Sequence, residues 1–269
     1  MYVMLMLLIT GLGITTAVSN VKINVMEPIL RPIYFLTGFA GIGMVGYLVV
    51  QHLSNALNCR RVGFIEMPRE PPLSAYIIST NILSTPGEIY YCPGTDFTIS
   101  IIHWDGDFMT KYAHDVVRAL ARWVYVNGFR EAILFGGLDN RLRGEDLDQL
   151  RVAVTTEYRN RHSLGGGVKL MELNYAMVGG PLALLMNEFE RLGVPAISIL
   201  PYAEPFRADP NAAIVAIQFL KELTGVEVDV SRLKELAEMI DKEIKELQES
   251  IKRREGASPT TSNYYKLLH

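Results

Sequence analysis

The sequence predicts an α/β protein: a three-layer αβα domain around a mainly parallel central sheet, followed by a long C-terminal helix. Three observations lead there. Strand-like and helix-like segments alternate across residues 33–223, the pattern of strands crossing over through helices. A glycine-rich turn joins the first well-patterned strand to the first helix. Near the C-terminus, apolar residues recur in steps of three and four. The chain has 269 residues, 49% of them hydrophobic and 20% charged, enough to bury a core without metals or disulfides and too apolar for a disordered segment.

Taken in order, residues 1–21 carry no charge and contain the run Val3 to Ile9. No basic residue precedes that run, and Thr10, Gly11, Gly13, Thr15 and Thr16 dilute the segment after it, so neither a signal peptide nor a spanning helix is well formed. Residues 1–27 are therefore an apolar extension with three readings: dispensable sequence ahead of a start at Met26, an anchor or signal, or an extra packed strand. Ile33 to Thr37 is a short apolar run and reads as a strand. Met44 to Leu57 has helical spacing, and Arg61 to Glu66 is the next strand. Ala75 to Ile82, Glu88 to Cys92 and Phe97 to His103 are β-rich segments separated by Pro86-Gly87 and Pro93-Gly94, a meander within the sheet.

Thr110 to Asn127 reads as a helix stopped by Gly128, and Arg130 to Phe135 as a buried strand. Val152 to Thr156 is a further strand candidate. Pro181 opens a helix through Leu192, Ala196 to Leu200 is the next strand, and Asp209-Pro210 caps a helix that Gly225 ends. Ser231 caps the last helix, which carries Leu233, Leu236, Ile240, Ile244, Leu247 and Ile251 on one seam. The predicted organisation is an extension (1–27), an αβα domain (28–229), an amphipathic helix (230–254) and a Gly/Ser/Thr/Pro-rich mobile tail (255–269) that ends in Tyr264-Tyr-Lys-Leu-Leu-His269.

The 26 basic residues are outnumbered by 29 acidic ones for a net charge of −3, with no dense basic run before Lys252-Arg253-Arg254. That argues against a nucleic-acid binder. Cys59 and Cys92 stand alone in unrelated contexts and form no zinc-ligand cluster. They read as reduced structural thiols, and the compartment as cytoplasmic.

One motif has the context of a nucleotide site. Gly41, Gly43 and Gly46 make G-x-G-x-x-G between a strand and a helix, and Glu66 lies twenty residues after Gly46, where a carboxylate could hold a ribose hydroxyl. The same glycines serve equally for close packing of helix on sheet. No nucleophile elbow, Walker loop or His-Glu-x-x-His motif is present. Asp105, Asp107 and His114 suit capping, His52 reads as a partly buried surface histidine, Gly165 to Gly167 as a flexible turn, and His103 with Trp104 as packing. No catalytic residue, metal or cofactor is assigned.

The order of segments resembles the proteasome assembly chaperone family, particularly its archaeal members, also labelled an ATP-grasp-like superfamily. The residues that carry the likeness are Tyr34 to Gly46 leading into Gln51-His-Leu, Gly128 to Gly137, Val178 to Leu185, Asp209 to Ala213, and Gly225 to Asp229. The resemblance implies a fold like that of purine nucleoside phosphorylases, small homo-oligomers, and binding of proteasome α subunits or a related ring without catalysis. Some members of the family it resembles end in a hydrophobic-Tyr-any motif. Here the last three residues are Leu267, Leu268 and His269, and Tyr264-Tyr265-Lys266 has that pattern three residues early. Tyr264, Tyr265, Leu267 and Leu268 are the expected partner contacts. The alternative is a nucleotide-binding enzyme or sensor that uses the loop at 38–46.

Overall fold

The fold is taken from a computed structural model that describes residues 15–18, 21–29, 32–67, 74–77, 82–103, 106–143, 148–163, 169–171 and 177–256. In chain order the elements are β1 (Thr15–Val18), β2 (Val21–Val25), β3 (Tyr34–Gly38), α1 (Val45–Ala56), β4 (Arg60–Glu66), β5 (Ala75–Ile77), β6 (Ile82–Ser84), β7 (Gly87–Cys92) and β8 (Phe97–Ile102). Next come α2 (Gly106–Val126), β9 (Glu131–Phe135), β10 (Leu138–Asp139), β11 (Leu150–Val154), α3 (Thr156–Arg161), α4 (Gly180–Leu192), β12 (Ala196–Ala203), α5 (Pro210–Thr224) and α6 (Ser231–Gly256). Close contacts divide the chain into two units, residues 1–229 and 230–269.

The first unit is built on one sheet of order β1-β2-β4-β7-β8-β3-β9-β12-β10, with β11 also on β12, while β5 and β6 form a separate hairpin. Its centre is parallel: β3 lies between β8 and β9, and β9 pairs β12. These strands are apolar on both faces because helices cover both. Its flank from β8 to β1 is antiparallel. On one face, α2 and α4 pack together over Phe35, Leu134 and Leu200. On the other, α1 packs against α5. Trp123 of α2 is fully buried, edge-on to Phe35 with ring centroids 6.0 Å apart.

The strands β5 and β6 stand outside the sheet in which the segment from Ala75 was expected to form a meander, and three further features decide or change the sequence reading. First, β2 is part of the sheet, paired to β4 from Lys22↔Glu66 to Val25↔Gly63, with Val21 and Ile23 buried completely. The alternation Val-Lys-Ile-Asn-Val places its apolar side on the core, so residues 21–25 belong to the fold and are not dispensable. Second, Thr156 begins a short helix instead of ending a strand. The Thr155 hydroxyl accepts from the Tyr158 amide, a side-chain cap that stops β11 and starts α3. Third, Cys59 and Cys92 are joined in a disulfide, which overturns their reading as free thiols. The register of β4 on β7 pairs Arg60 with Tyr91, so the next position outward sets Cys59 opposite Cys92, with Cα atoms 4.1 Å apart. Linear spacing does not reveal a cross-strand pair.

In the second unit, α6 buries Leu233 and Ala237 and leaves Leu236, Ile240 and Ile244 half-buried. Met239 and Leu247 are exposed. Among the described residues, no helix is long and apolar enough to cross a membrane.

Candidate functional site

The parallel strands β3, β9 and β12 end on one edge of the sheet, and the loops leaving β3 and β9 bring Gly38, Gly41, Gly43, Gly136 and Gly137 there. After β3, the loop 39–44 turns into α1 through Gly43 and Met44, which have φ of 62° and 50°. The Met44 amide donates to the Gly41 carbonyl at 2.8 Å, and the Asp209 amide donates to the Gly43 carbonyl at 2.8 Å. Asp209 in turn caps α5: its carboxylate accepts from the amides of Ala212 and Glu204, each at 3.0 Å. The loop after β3 and the loop after β12 are thereby tied into one piece.

The motif glycines divide by use. A Cβ on Gly46 would lie 2.4 Å from the Phe135 carbonyl oxygen and 2.7 Å from the Phe39 amide nitrogen. A Cβ on Gly43 would meet the Ala203 Cβ at 2.7 Å, and one on Gly38 would meet the Gly46 carbonyl at 2.3 Å. These residues are glycine because α1 lies against the sheet with no room for a methyl group. A Cβ on Gly41 would meet nothing within 4 Å.

Glu66 is not brought to them. It ends β4, three strands from β3 in the sheet, about 14 Å at the usual spacing. Its carboxylate accepts a hydrogen bond from the Asn24 amide group across the β2–β4 pair. The expectation that Gly41, Gly43, Gly46 and Glu66 form one ribose and pyrophosphate site is corrected on that ground. The sheet turns antiparallel between β3 and β4, so the strand after the first helix is not the neighbour that a dinucleotide fold requires.

A direct consequence is testable by urea denaturation. Gly46→Ala should cost about 3 kcal/mol through backbone overpacking, whereas Gly41→Ala should leave the midpoint nearly unchanged. Equal effects at the two positions would refute this division of roles.

Between the ends of β3 and β9 lies a cavity of about 320 Å³, walled by Phe39, Phe135, Leu138, Met171 and Leu200, with the first turn of α4 at one side. Leu142 and Met177 stand at it and are 46% and 76% exposed. Nearby, Phe206 in the loop after β12 is exposed, with the Arg141 guanidinium 5.1 Å from its ring centre. Arg141 is itself held by Asp139, whose carboxylate it meets at 2.9 and 3.0 Å through Nε. Those hydrogen bonds keep the Asp139 carboxyl below its ordinary pKa.

A second polar cluster, not anticipated from the sequence, lies on the antiparallel side. Glu88 is fully buried in β7. Its carboxylate accepts from Arg61 Nη1 at 2.6 Å, Tyr90 Oη at 2.9 Å, the Thr85 amide at 3.1 Å and Ser84 Oγ at 3.3 Å. His103 Nε2 lies 3.0 Å from Ser84 Oγ, and its Nδ1 lies 2.9 Å from Tyr47 Oη. Burial pushes the Glu88 carboxyl up, but the bonds from His103, Arg61, Thr85 and Tyr90 outweigh it and hold the pKa below the ordinary value. Burial, then the Glu88 charge, raises Tyr47.

A serine beside a histidine invites a nucleophile and base reading, yet the chemistry is wrong for one. The Glu88 carboxylate sits on the serine side of the imidazole and would repel a developing oxyanion, and the Thr85 amide is already given to Glu88. Ser84 is also buried. The cluster is a structural anchor that ties α1, β4, β7 and the end of β8 together.

His52 is more buried than expected, at 8% exposure, and its Nε2 lies 2.7 Å from the Asp229 carbonyl oxygen. His114 is exposed on α2. Asp105, the 165–167 glycines and the tail with Tyr264, Tyr265, Leu267 and Leu268 fall outside the described residues. No group of three or more His, Cys, Asp or Glu suited to a metal occurs among the described residues.

Comparison with known families gives this geometry a context. The sequence profile of the PAC2 family matches residues 35–248, from β3 into the last helix. The chain belongs to the PAC2 family. No curated protein matches it in sequence. Among solved structures, the PAC2 chain is similar to Pyrococcus furiosus PbaB, an archaeal proteasome activator, with TM-score 0.68 and 23% identity over 86% of this chain and 100% of that one. It is equally similar to Pyrococcus furiosus PbaA, an archaeal homolog of proteasome-assembly chaperone, with TM-score 0.68 and 22% identity over 87% and 94%. Similarity to a proteasome-assembly chaperone homologue from Mycobacterium tuberculosis is lower, at TM-score 0.52 and 16% identity over 80% and 94%. The αβα architecture read from the sequence is the PAC2 fold. The ATP-grasp-like label and the nucleotide-binding enzyme reading find no support in these comparisons.

Proposed function

We propose that this PAC2 protein is a non-enzymatic proteasome assembly chaperone or proteasome-binding adaptor that works as a homo-oligomer on proteasome α subunits or a related ring. The observation that carries the reading is the family match over residues 35–248, which runs from β3 through β12 and most of the last helix. The likeness to an archaeal proteasome activator and to an archaeal proteasome-assembly chaperone homolog supports it. The exposed Leu247 and the half-buried Leu236, Ile240 and Ile244 on α6 support self-association, since a seam of that spacing is buried by pairing with another helix. The tail residues Tyr264, Tyr265, Leu267 and Leu268 are proposed as ring contacts, in the manner of an apolar peptide entering a groove. A proteasome partner would put the protein in the cytoplasm. The Cys59–Cys92 bond would then be one of the uncommon intracellular disulfides.

Native mass spectrometry of the purified protein, alone and with the α subunits of its own organism, tests the reading. The expected result is a homo-oligomer and a mixed species with α subunits, lost when residues 257–269 are deleted while the oligomer persists. A monomer that captures no α subunit would refute it.

A further inference from the structure

We propose that the crevice between the carboxyl ends of β3 and β9 binds a small, uncharged, mostly apolar molecule. The topology puts it there. β3 leaves the sheet into α1, which packs with α5 on one face, whereas the chain after β9 passes through β10, β11 and α3 before α4, which packs with α2 on the other. Adjacent parallel strands whose connections part to opposite faces leave a gap at their carboxyl ends, and open α/β sheets bind ligands in such gaps.

The gap is open. Its volume of about 320 Å³ lies at the small end of ligand-sized sites. Its lining defines the chemistry of the occupant. Phe39, Phe135, Leu138, Met171 and Leu200 wall it, and among the described residues that line it there is no Asp, Glu, Lys, Arg or His. Among these residues an anion would meet no cationic side chain, only the amide edge at the first turn of α4, while the rest of the wall is apolar. That favours a neutral ring or branched skeleton over an anion.

Two glycines in the wall bear on the same point. Gly41 and Gly179 have φ of −156° and −119°, neither in the left-handed region, and a Cβ on either would meet no protein atom within 4 Å. In contrast to Gly38, Gly43 and Gly46, no contact within the protein requires them to lack a side chain. Both are exposed, so each adds a stretch of bare backbone to an otherwise apolar wall. Leu142 and Met177, exposed at the same crevice, have apolar surface to gain by folding over an occupant, and the unbranched Met side chain adapts to irregular shapes. The proposal does not depend on the proteasome reading.

Isothermal calorimetry of the full chain with indole, benzoate and adenosine monophosphate tests the chemistry, and crystals soaked with 5-bromoindole locate the site. The expected result is saturable binding of indole, at least tenfold weaker binding of the two anions, and an anomalous bromine peak among Phe39, Phe135 and Leu200. Gly179→Leu should weaken indole binding at least tenfold by occupying the open side of the wall. Leu142→Ala, at an exposed position that the fold tolerates, should weaken it severalfold with an unchanged thermal midpoint. Tighter binding of adenosine monophosphate than of indole would overturn the proposal, as would bromine located only elsewhere or indole binding indifferent to both substitutions. Displacement of indole by proteasome α subunits would overturn it in favour of a socket for a partner's apolar side chain.

Discussion

Glu88→Ala is expected to destabilise the PAC2 domain by about 3 to 5 kcal/mol, the cost of removing one member of a buried, hydrogen-bonded ion pair. Glu88 is fully buried and Arg61 largely so, and Ser84, Tyr90 and the Thr85 amide would lose their acceptor with it. The same carboxylate makes stability depend on pH in a definite direction. Its pKa in the folded protein is held below the ordinary value, so the unfolded chain binds its proton more readily. Its contribution is therefore complete above the unfolded glutamate value of about 4.3 and is lost as pH falls through the lower folded value. Urea midpoints measured from pH 7 down to pH 3 should fall more steeply for the wild type than for Glu88→Gln in the acid range. Parallel curves would show that the cluster is not ionised as described.

The second large effect belongs to the disulfide. Cys59 and Cys92 close a loop with a sequence separation of 33 residues, for which chain entropy predicts a stabilisation of about 4 kcal/mol relative to the opened chain. Wild-type protein under non-reducing conditions should resist alkylation by iodoacetamide in denaturant. The Cys59→Ala/Cys92→Ala variant should unfold at a correspondingly lower urea concentration, and reduced wild type should behave like the variant. Quantitative alkylation of both cysteines without a reductant would refute the pairing.

Much of the fold was legible because the signals were local. Runs such as Ile33 to Thr37 and Ala196 to Leu200 announce buried strands, and Gly225 and Asp209 mark helix ends through their own backbone or side-chain chemistry. Pairing was hidden. That Cys59 faces Cys92 emerges only from the register of β4 on β7, and the place of β2 only from its pairing with β4. The glycine motif shows the difference well. Its spacing matched a nucleotide fingerprint, but the use of each glycine depends on what stands opposite, a carbonyl for Gly46 and open space for Gly41. The Glu88 cluster escaped notice because its members are scattered over Tyr47, Arg61, Ser84 and His103, and nothing in the spacing of those residues calls them together. The one available signal was a glutamate in the otherwise apolar run Gly87 to Cys92.

The division of the sheet into an antiparallel flank and a parallel centre has a kinetic consequence. β7 and β8 join through a tight turn and β4 reaches β7 within a few tens of residues, whereas β3 must find β9 across almost a hundred. Loop closure is slower for distant partners, so the flank is expected to acquire amide protection first during refolding and the β3–β9 pair last. Pulse-labelled hydrogen exchange would show this order, and simultaneous protection of both halves would contradict it. The cavity walls would then be the latest part of the domain to exist, and a newly made chain would have its crosslinked half in place before there is anywhere for a ligand to bind.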